Sequence, residues 1–390
     1  MPRRRTRPTP ATAAAELAPA RRLLFISNGH GEDAIAAQII RRLPPHLTAE
    51  AYPTLGAGSA YAGVCPIVGP RAQLPSEGWR NVRHSVLRDV TGGLLQTLWP
   101  GLRFFRSARK AYDQVVVVGD MIGVYGCFLT GVRGILYLDV YKTGFGRDYL
   151  PFEKQMLRAT TSAVFCRAET LAAGLRQVGV NARCAGNVMM DTIPYGDYDP
   201  ALHRVRPLAL AILPGSRAHA VENFALQAAA LARLKPGEMP DIFLPVAPSV
   251  PIAALADAAA IRHNPGEWPG DLGSLSNERL TIHLVPGSAL GNVLQASNLV
   301  LSQAGTATVQ ALGLGRPVVT FRSAADRASR FEDEQRLFGD ARQVVSVDAA
   351  EIAQKLRALL ADQEERGRLA AIGRQRIGGP GALDAIISAL

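Results

Sequence analysis

Short apolar runs that each end in a turn and lead into a helical pattern recur along this chain. Residues 23–26 form the first run, a glycine turn follows, and residues 34–43 carry the spacing of a helix. The run at 115–118 consists of valines alone, as expected for a strand that helices cover on both faces. Further runs at 134–138 and 163–166 repeat the unit. Strand, turn and helix in this order predict an α/β domain with a parallel sheet.

A second series of these units begins after a hydrophilic, proline-bearing stretch at 194–207. The apolar pattern predicts strands at 208–213, 242–246, 280–284, 299–302 and 318–321, and helices at 220–234, 253–261 and from residue 306. At 390 residues the chain exceeds what one hydrophobic core normally holds. We therefore expect two Rossmann-like domains, at 23–200 and 201–390, whose parallel sheets face one another across a cleft. The last helix is a candidate to pack back on the first domain.

Basic residues exceed acidic ones, and half of the excess lies at the beginning of the sequence. Lysine and arginine number 43 against 33 acidic residues, for a net charge of +10. Residues 1–22 are rich in arginine, proline and alanine, which predicts a disordered basic tail or, as the alternative, an organelle transit peptide. No run reaches the ~18 apolar residues of a membrane-spanning helix. The charge favours an anionic partner, but the body has no dense basic stripe with interleaved aromatic residues, which argues against nucleic acid.

The turn after the first apolar run is the first candidate site. Its two glycines permit a sharp turn and close approach of a ligand to the backbone, and its titratable residues lie where a strand ends, the usual ligand position in an open α/β sheet. The unperturbed pKa of a histidine suits proton transfer near neutral pH, so His30 is the first candidate for a general base. The other interpretation is a plain glycine turn in which Asp33 caps the helix. The candidate residues of this loop are Asn28, Gly29, His30, Gly31 and Glu32.

Two loops of the second series are candidates for binding a diphosphate. Leu-Pro-Gly-Ser-Arg at 213–217 follows a strand directly. There Gly215 and the Ser216 hydroxyl can approach a phosphate, and Arg217 offers a bidentate fork for its oxygens. The other loop, at 302–310, turns at Gly305 and begins a helix near Thr306, whose N-terminal amides attract anions. Each loop alone is also ordinary turn chemistry, but their pairing at the strand ends of one domain favours a ligand site.

These motifs resemble those of a known family. Leu-Pro-Gly-Ser-Arg at 213–217, Gly-Asn-Val-Met-Met-Asp at 186–191 and Ala-Gly-Thr-Ala-Thr at 304–308, with Gly315 and Pro317, stand in the order and spacing of lipid-A-disaccharide synthases. The chain is most similar to the lipid-A-disaccharide synthase-related proteins. The resemblance implies a GT-B glycosyltransferase that needs no metal and no cofactor. It also implies that the C-terminal domain binds a nucleotide-sugar donor and the N-terminal domain a lipid acceptor.

The sequence departs from that family at positions with functional roles. Asp120 matches the first carboxylate of the family's Asp-x-x-Asp pattern, but Gly123 replaces the second. Asn187 stands in place of a histidine and is a candidate contact on the acceptor side, together with the loop at 28–31. Gln310 stands in place of the glutamate that holds the donor ribose and is a candidate donor contact. Gln335 resembles a donor-contacting glutamine of related GT-B enzymes.

Three residues are candidates for the base that takes a proton from the acceptor hydroxyl: His30 first, then Asp120 or Glu32. The alternative for Asp120 is a helix cap. Positive groups must stabilise the leaving nucleoside diphosphate, and we expect Arg217 and the amides near Gly305 to do so.

Residues 94–110 interleave large apolar side chains with cations, as in an element that lies on an anionic membrane surface. The alternative is a core-packing helix with its arginines in water, broken in either case at Pro100. The four cysteines have no zinc-like spacing with histidine, so we expect no metal site.

The sequence therefore predicts transfer of a sugar from a UDP-sugar to a lipid acceptor, a step like those of lipid A and glycolipid synthesis. We expect a cytoplasmic protein that works at the inner face of a membrane. Two alternatives remain open: a UDP-sugar epimerase of the same fold, and a non-catalytic relative that binds a nucleotide-sugar or a lipid.

Overall fold

The computed structural model describes residues 21–70, 95–145, 148–216, 219–267, 270–323, 326 and 328–390, without the side chains of His30 and residues 95–98. The strands of the N-terminal domain are β1 (Arg21–Ser27), β2 (Leu47–Pro53), β3 (Gln114–Gly119), β4 (Ile135–Asp139), β5 (Thr161–Phe165) and β6 (Ala182–Arg183). They form one parallel sheet in the order β2-β1-β3-β4-β5-β6. Around it lie α1 (His30–Arg41), α2 (Leu95–Ala111), α3 (Met121–Thr130), α4 (Pro151–Thr160) and α5 (Glu169–Arg176).

The apolar runs of the sequence form β1, β3, β4 and β5, while β2 and β6 were not predicted. The central strands are buried on both faces, which explains their continuous apolar runs. β2 lies at the end of the sheet and carries the polar residues Thr48 and Glu50, and β6 has only two residues. β1 begins at Arg21, inside the segment predicted to be a tail. The backbone N–H of Arg22 donates to Asp113 Oδ2 at 2.7 Å. Residues 1–20 lie outside the described residues.

The C-terminal domain contains a second sheet. Its strands are β7 (Ala209–Leu213), β8 (Asp241–Val246), β9 (Arg262–Asn264), β10 (Ser274–Ser276), β11 (Thr281–Pro286), β12 (Leu299–Ser302), β13 (Val318–Phe321) and β14 (Arg342–Val345). Their order is β14-β13-β12-β7-β8-β11-β10-β9, and the pairings are parallel except for those of β10 with β9 and β11. The antiparallel hairpin was not predicted, because its two strands are short and polar.

The remaining helices are α6 (Val188–Asp191), α7 (Ala220–Leu231), α8 (Ile252–Ala259), α9 (Leu290–Ala296), α10 (Thr306–Gly313), α11 (Ala328–Phe338), α12 (Ala349–Ala361), α13 (Gln363–Ile377) and α14 (Ala382–Ile387). Two helical layers cover the sheet of the C-terminal domain. On β7, Leu210 and Ile212 pack in a cluster with α7, α8 and α12. The alternate residues Ala209, Ala211 and Leu213 pack in a cluster with α9, α10 and α11. Alternation along a strand thus supplies both layers from one apolar run.

The chain returns to the N-terminal domain at its end. Leu383 and Ile386 of α14 are buried in one cluster with Phe25 of β1 and Ile39 of α1. Residues 186–191, named here the clasp, hold the segment that makes this return. Asp191 accepts hydrogen bonds from the backbone N–H groups of Gly381 at 2.6 Å and Leu383 at 3.0 Å. In the part of the chain described above, the helices are too short or too polar to cross a membrane.

Candidate functional site

The loop between β1 and α1 joins the ends of three strands. Asn28 donates from Nδ2 to Asp120 Oδ2 at 3.1 Å, and its Oδ1 accepts from Thr54 Oγ1 at 2.7 Å. Asp120 follows β3 and caps α3, since its Oδ1 accepts from the Ile122 N–H at 2.9 Å. The alternative interpretation of Asp120 as a cap is therefore correct, and its second oxygen remains directed at the loop. Asn28 links β1, β2 and β3 at the edge where their carboxyl ends meet.

Glu32 lies over this edge. A Cβ on Gly119, which has φ +131°, would stand 2.8 Å from Glu32 Cγ, and a Cβ on Gly29, with φ +150°, would stand 2.8 Å from Glu32 Oε2. The two glycines therefore make room for the carboxylate beside Asp120. His30 is the first residue of α1, and the position of its side chain lies outside the described residues. A Cβ on Gly31 would meet nothing within 4 Å, so packing does not require glycine there.

Asp33 is a core residue rather than the helix cap that the sequence suggested. It is 1% exposed, and its Oδ1 accepts from Ser27 Oγ at 2.5 Å. Ser27 Oγ lies 2.6 Å from the hydroxyl of Tyr61, which is fully buried. Burial raises the pKa of Tyr61 far above its ordinary value, so the phenol stays protonated. Sequence reasoning missed Tyr61, whose contact with the loop depends on tertiary packing. This network fixes the base of the candidate loop.

A second carboxylate, missed in the sequence, ends the neighbouring strand β4. Asp139 is 1% exposed and pairs with Gly119 in the sheet register. It accepts from the backbone N–H groups of Tyr141 and Lys142, both at 2.9 Å, and from the Tyr149 hydroxyl. Burial raises its pKa to about 6 in spite of these donors. The signal that could have found it is the one that found Asp120, namely an acidic residue directly after an apolar run.

Beside Asp139, a buried ion pair stabilises the segment after β4. Lys142 Nζ lies 2.8 Å from Glu153 Oε2, and both side chains are largely buried. The Leu150 N–H and the Tyr125 hydroxyl also donate to Glu153. These donors lower the pKa of Glu153 against the opposing effect of burial. Since its oxygens are used in this way, Glu153 holds the segment in place.

In the C-terminal domain, the two predicted phosphate loops lie together. The Gln303 N–H donates to the Leu213 carbonyl at 2.7 Å and so joins the loop after β12 to the loop after β7. Gly215 has φ +105°, and a Cβ there would approach only the Gln303 carbonyl, at 3.7 Å. The Ser216 carbonyl accepts from Ser249 Oγ at 2.9 Å. Arg217 lies outside the described residues.

Hydroxyl groups stabilise the turn into α10. Ser302 Oγ lies 2.7 Å from Thr308 Oγ1 and accepts from the Ala304 N–H at 3.1 Å. Gly305 and Thr306 remain exposed at the first turn of the helix. The first amides of a helix have no partners within it, and its dipole favours an anion there. This arrangement suits a phosphate group.

Three predicted contact residues have structural roles instead. Gln310 is 3% exposed and donates to the Met189 carbonyl at 3.0 Å, so its amide binds the clasp rather than facing a ribose. Asn187, predicted to contact the acceptor, is buried and donates to the Ile377 carbonyl at 3.1 Å. Gln335 accepts from Arg342 Nε at 2.9 Å and donates to the backbone carbonyls of Gly339 and Arg342, so its amide is used within its own domain. The local pattern could not distinguish these buried amides from ligand contacts.

Helix α2 follows the core-packing alternative over most of its length. Phe105 and Ala108 are buried, and the Phe104 ring stands 4.7 Å from that of Tyr52. The helix continues through Pro100, so the predicted break is wrong. One lost backbone hydrogen bond is tolerated where an apolar face is packed. Trp99 is 72% exposed, and exposed cations follow it: Arg103, Arg106, Arg109 and Lys110. Leu94 lies outside the described residues.

Histidine, cysteine and acidic side chains of the described ranges form no cluster of three or more that would hold a metal ion. Cys127 and Cys166 are buried in the N-terminal core.

No family model and no curated protein matches this chain. Solved structures match it over nearly its whole length. A putative UDP-N-acetylglucosamine 2-epimerase from Listeria monocytogenes is 17% identical, with 94% of this chain and 95% of that chain covered and a TM-score of 0.57. MurG from Acinetobacter baumannii is 15% identical, with 95% and 98% covered and a TM-score of 0.56. CalG4, the calicheamicin glycosyltransferase, is 15% identical, with 94% and 98% covered and a TM-score of 0.56.

Two α/β domains, each built on a largely parallel sheet, together with these neighbours, identify the fold as GT-B. At such low identity the likeness shows the fold alone. The closer resemblance to lipid-A-disaccharide synthases therefore stays a prediction from the sequence motifs.

Proposed function

We propose that this GT-B protein binds a nucleoside-diphosphate sugar, with UDP as the nucleotide, at the strand ends of its C-terminal domain. The observation that carries the proposal is the joining of the two loops by the Gln303 N–H to the Leu213 carbonyl at 2.7 Å. It places Gly215 beside Gln303, in the loop that leads into the exposed first turn of α10. Backbone amides and a helix dipole in this arrangement are suited to a diphosphate. An epimerase named for UDP-N-acetylglucosamine among the neighbours of the fold supports the choice of UDP.

A charge placed at Thr306 tests the donor site. Thr306 is exposed at the first turn of α10, where a carboxylate stabilises a helix. Thr306→Glu should therefore keep or raise the melting temperature yet repel a diphosphate, while Thr306→Gln serves as the uncharged control. In a thermal-shift screen of UDP, GDP and their sugars, we expect stabilisation of the wild type and of Thr306→Gln, and none of Thr306→Glu. A flat response of the wild type across the screen contradicts the proposal.

The chemistry that we propose is transfer of the sugar to a lipid acceptor. A base on the N-terminal domain takes the proton of the acceptor hydroxyl while the diphosphate leaves from the C-terminal domain. His30 is the first choice for this base, because it begins α1 at the carboxyl end of β1 and because histidine is the usual general base of enzymes that work near neutral pH. Glu32 and Asp120 are the other candidates.

A transfer assay with labelled donor and total lipid extract distinguishes these bases. His30→Ala should lower the rate of product formation by about 10²–10⁴-fold, the usual contribution of a general base. Glu32→Gln and Asp120→Asn should each cost less. If His30→Ala keeps its rate and one of the carboxamide variants loses it, that carboxylate is the base. Binding of the donor without transfer to any lipid supports the non-catalytic alternative.

Trp99 and the cations of α2 support a contact with the membrane, where we propose that the acceptor is met. An exposed indole beside arginines is suited to the interface of an anionic bilayer. Trp99→Ala should lower co-flotation with phosphatidylglycerol vesicles several-fold. Leu202, which is 74% exposed on the opposite side of the domain boundary, gives the control variant Leu202→Ala. Equal flotation of the wild type with neutral and anionic vesicles contradicts an electrostatic contact.

Epimerisation of a UDP-sugar is the second candidate, and Asp139 favours it. The pKa of Asp139, about 6, is suited to proton transfer near neutral pH. Asp139 pairs with Gly119 in the sheet, and Asp120 is the residue after Gly119. Incubation with UDP-N-acetylglucosamine alone, followed by chromatography for the 2-epimer, tests it. Formation of the epimer that Asp139→Asn abolishes would establish this function in place of lipid transfer.

A further inference from the structure

A cation that the sequence did not suggest lies beside the first turn of α10. A Cβ placed on Gly305 would stand 3.7 Å from Nη2 of Arg330, a residue of α11. The Arg330 side chain is 51% exposed. Its Nε donates to Glu334 Oε1 at 2.8 Å, so the guanidinium is held by one edge while Nη2 lies next to Gly305. The cation thus stands at the same helix terminus that offers its amides to a phosphate.

The carboxylate that contacts Arg330 is also bound by a buried arginine, Arg342. Arg342 is 4% exposed and lies between the rings of Phe331 and Phe338, with its Cζ 4.3 and 4.8 Å from their centroids. Its Nη1 donates to Glu334 Oε2 at 3.2 Å. Glu334 therefore contacts both a buried guanidinium, that of Arg342, and a half-exposed one, that of Arg330. One carboxylate oxygen of Glu334 accepts from Arg330 and the other accepts from Arg342. These two contacts fix the orientation of Glu334, which in turn keeps the Arg330 guanidinium next to Gly305.

We propose that Arg330 binds the diphosphate of the donor at the N-terminus of α10, and that Glu334 and Arg342 position it there. The inference rests on the proposed function, since the diphosphate is that of the proposed donor. A guanidinium can donate two parallel hydrogen bonds to phosphate oxygens, and it adds a full positive charge to the partial charge of the helix terminus. Arg330 then stabilises the charge that develops on the leaving diphosphate. Glu334 acts through Arg330 and is a positioning residue.

Helix α11 provides a matched control. Arg336 is also exposed, and its Nη1 lies 3.6 Å from Asp333 Oδ1 in an ion pair within the helix. Arg330→Gln and Arg336→Gln therefore remove the same charge from the same helix, and only the first removes a group next to Gly305. Arg330→Lys keeps the positive charge but cannot donate the two parallel hydrogen bonds of a guanidinium.

Calorimetric titration of each variant with UDP and, separately, with uridine tests the proposal. We expect Arg330→Gln to weaken UDP binding at least tenfold and leave uridine binding unchanged, with Arg330→Lys in between and Arg336→Gln within twofold of the wild type. Glu334→Gln should lower the ratio of UDP to uridine affinity several-fold, a change that a merely structural defect would not make. If the wild type does not bind UDP, the proposed function fails. If it binds UDP and Arg330→Gln equals Arg336→Gln, the function stands and the role of Arg330 is wrong.

Discussion

Two acidic residues at the strand ends of the N-terminal sheet have different roles in the candidate site. Asp120 and Asp139 follow neighbouring strands, yet Asp120 caps a helix and contacts Asn28, whereas Asp139 is enclosed by backbone donors and Tyr149. The position of Asp120 could be predicted from the apolar run before it. The burial of Asp139 could not, because the Tyr149 hydroxyl that covers it comes from a later segment of the chain.

Gly119 is a position where we expect the addition of a methyl group to lower the stability of the fold. Gly119→Ala places a side chain at φ +131° and 2.8 Å from Glu32 Cγ, so we expect a loss of about 1–3 kcal/mol in the free energy of unfolding. Gly367, exposed in α13, has nothing within 4 Å of a Cβ. Gly367→Ala should gain up to about 1 kcal/mol. Urea denaturation of both variants checks this, and equal stability of the two contradicts the packing of Glu32 described above.

The raised pKa of Asp139 predicts how the free energy of unfolding changes with pH. Burial raises its pKa from 3.8 to about 6 in the folded protein, so between these values the folded state binds more protons than the unfolded state. The free energy of unfolding therefore falls as the pH rises through this window, by about 3 kcal/mol for this group. Asp139→Asn should lack that component. The measurement is urea denaturation of the wild type and the variant at pH 4 and pH 7, and parallel curves for the two proteins would rule out a raised pKa.

At the scale of elements, apolar runs predicted strands well where helices cover both faces. The edge strand β2 and the β9–β10 hairpin were missed, because half-exposed strands carry polar residues that resemble loops. The sequence analysis identified the segment of α6 by its motif and did not predict a helix there. Its role in the fold is to bind the segment that leads into α14, almost two hundred residues away, and no local sequence pattern contains that information.

The clasp gives a prediction at this scale. Asp191→Ala removes the acceptor for the Gly381 and Leu383 amides and leaves the first turn of α14 uncapped. We expect a loss of about 2 kcal/mol, the sum of two such hydrogen bonds, and faster hydrogen exchange in α14. Asp199 caps an exposed turn through a single bond to the Ala201 N–H at 2.9 Å. Asp199→Ala is the control, and it should cost about half as much and leave exchange in α14 unchanged.

At the scale of the molecule, two series of strand–turn–helix units predicted two parallel sheets, and the structure and its GT-B neighbours confirm that fold. The interface between the domains was the part that sequence reasoning could describe least. The Arg376 guanidinium lies 4.5 Å from the Phe145 ring centroid, and α14 completes the core of the other domain. Such contacts join residues whose separation in the chain gives no periodic signal.

The contribution of α14 to the N-terminal core can be measured by removing one side chain. Leu383 is 1% exposed among residues of β1 and α1. Leu383→Ala should cost about 2–5 kcal/mol, as other large-to-small core substitutions do. Hydrogen exchange should rise in β1 and stay unchanged in β7, while the exposed Leu202→Ala has neither effect. Equal acceleration in β1 and β7 would mean that the two domains unfold as one unit.

The return of α14 has a consequence for the order in which the nascent chain can reach its final structure. The apolar surface of β1 and α1 that Leu383 and Ile386 cover is made early in synthesis, and those residues leave the ribosome only after the whole C-terminal domain. Until then this surface is open to chaperones or to other chains. A contact between the first strand and the last helix also has a long sequence separation, which slows folding. The N-terminal domain therefore begins to fold before the C-terminal domain is made and finishes only when α14 is in place.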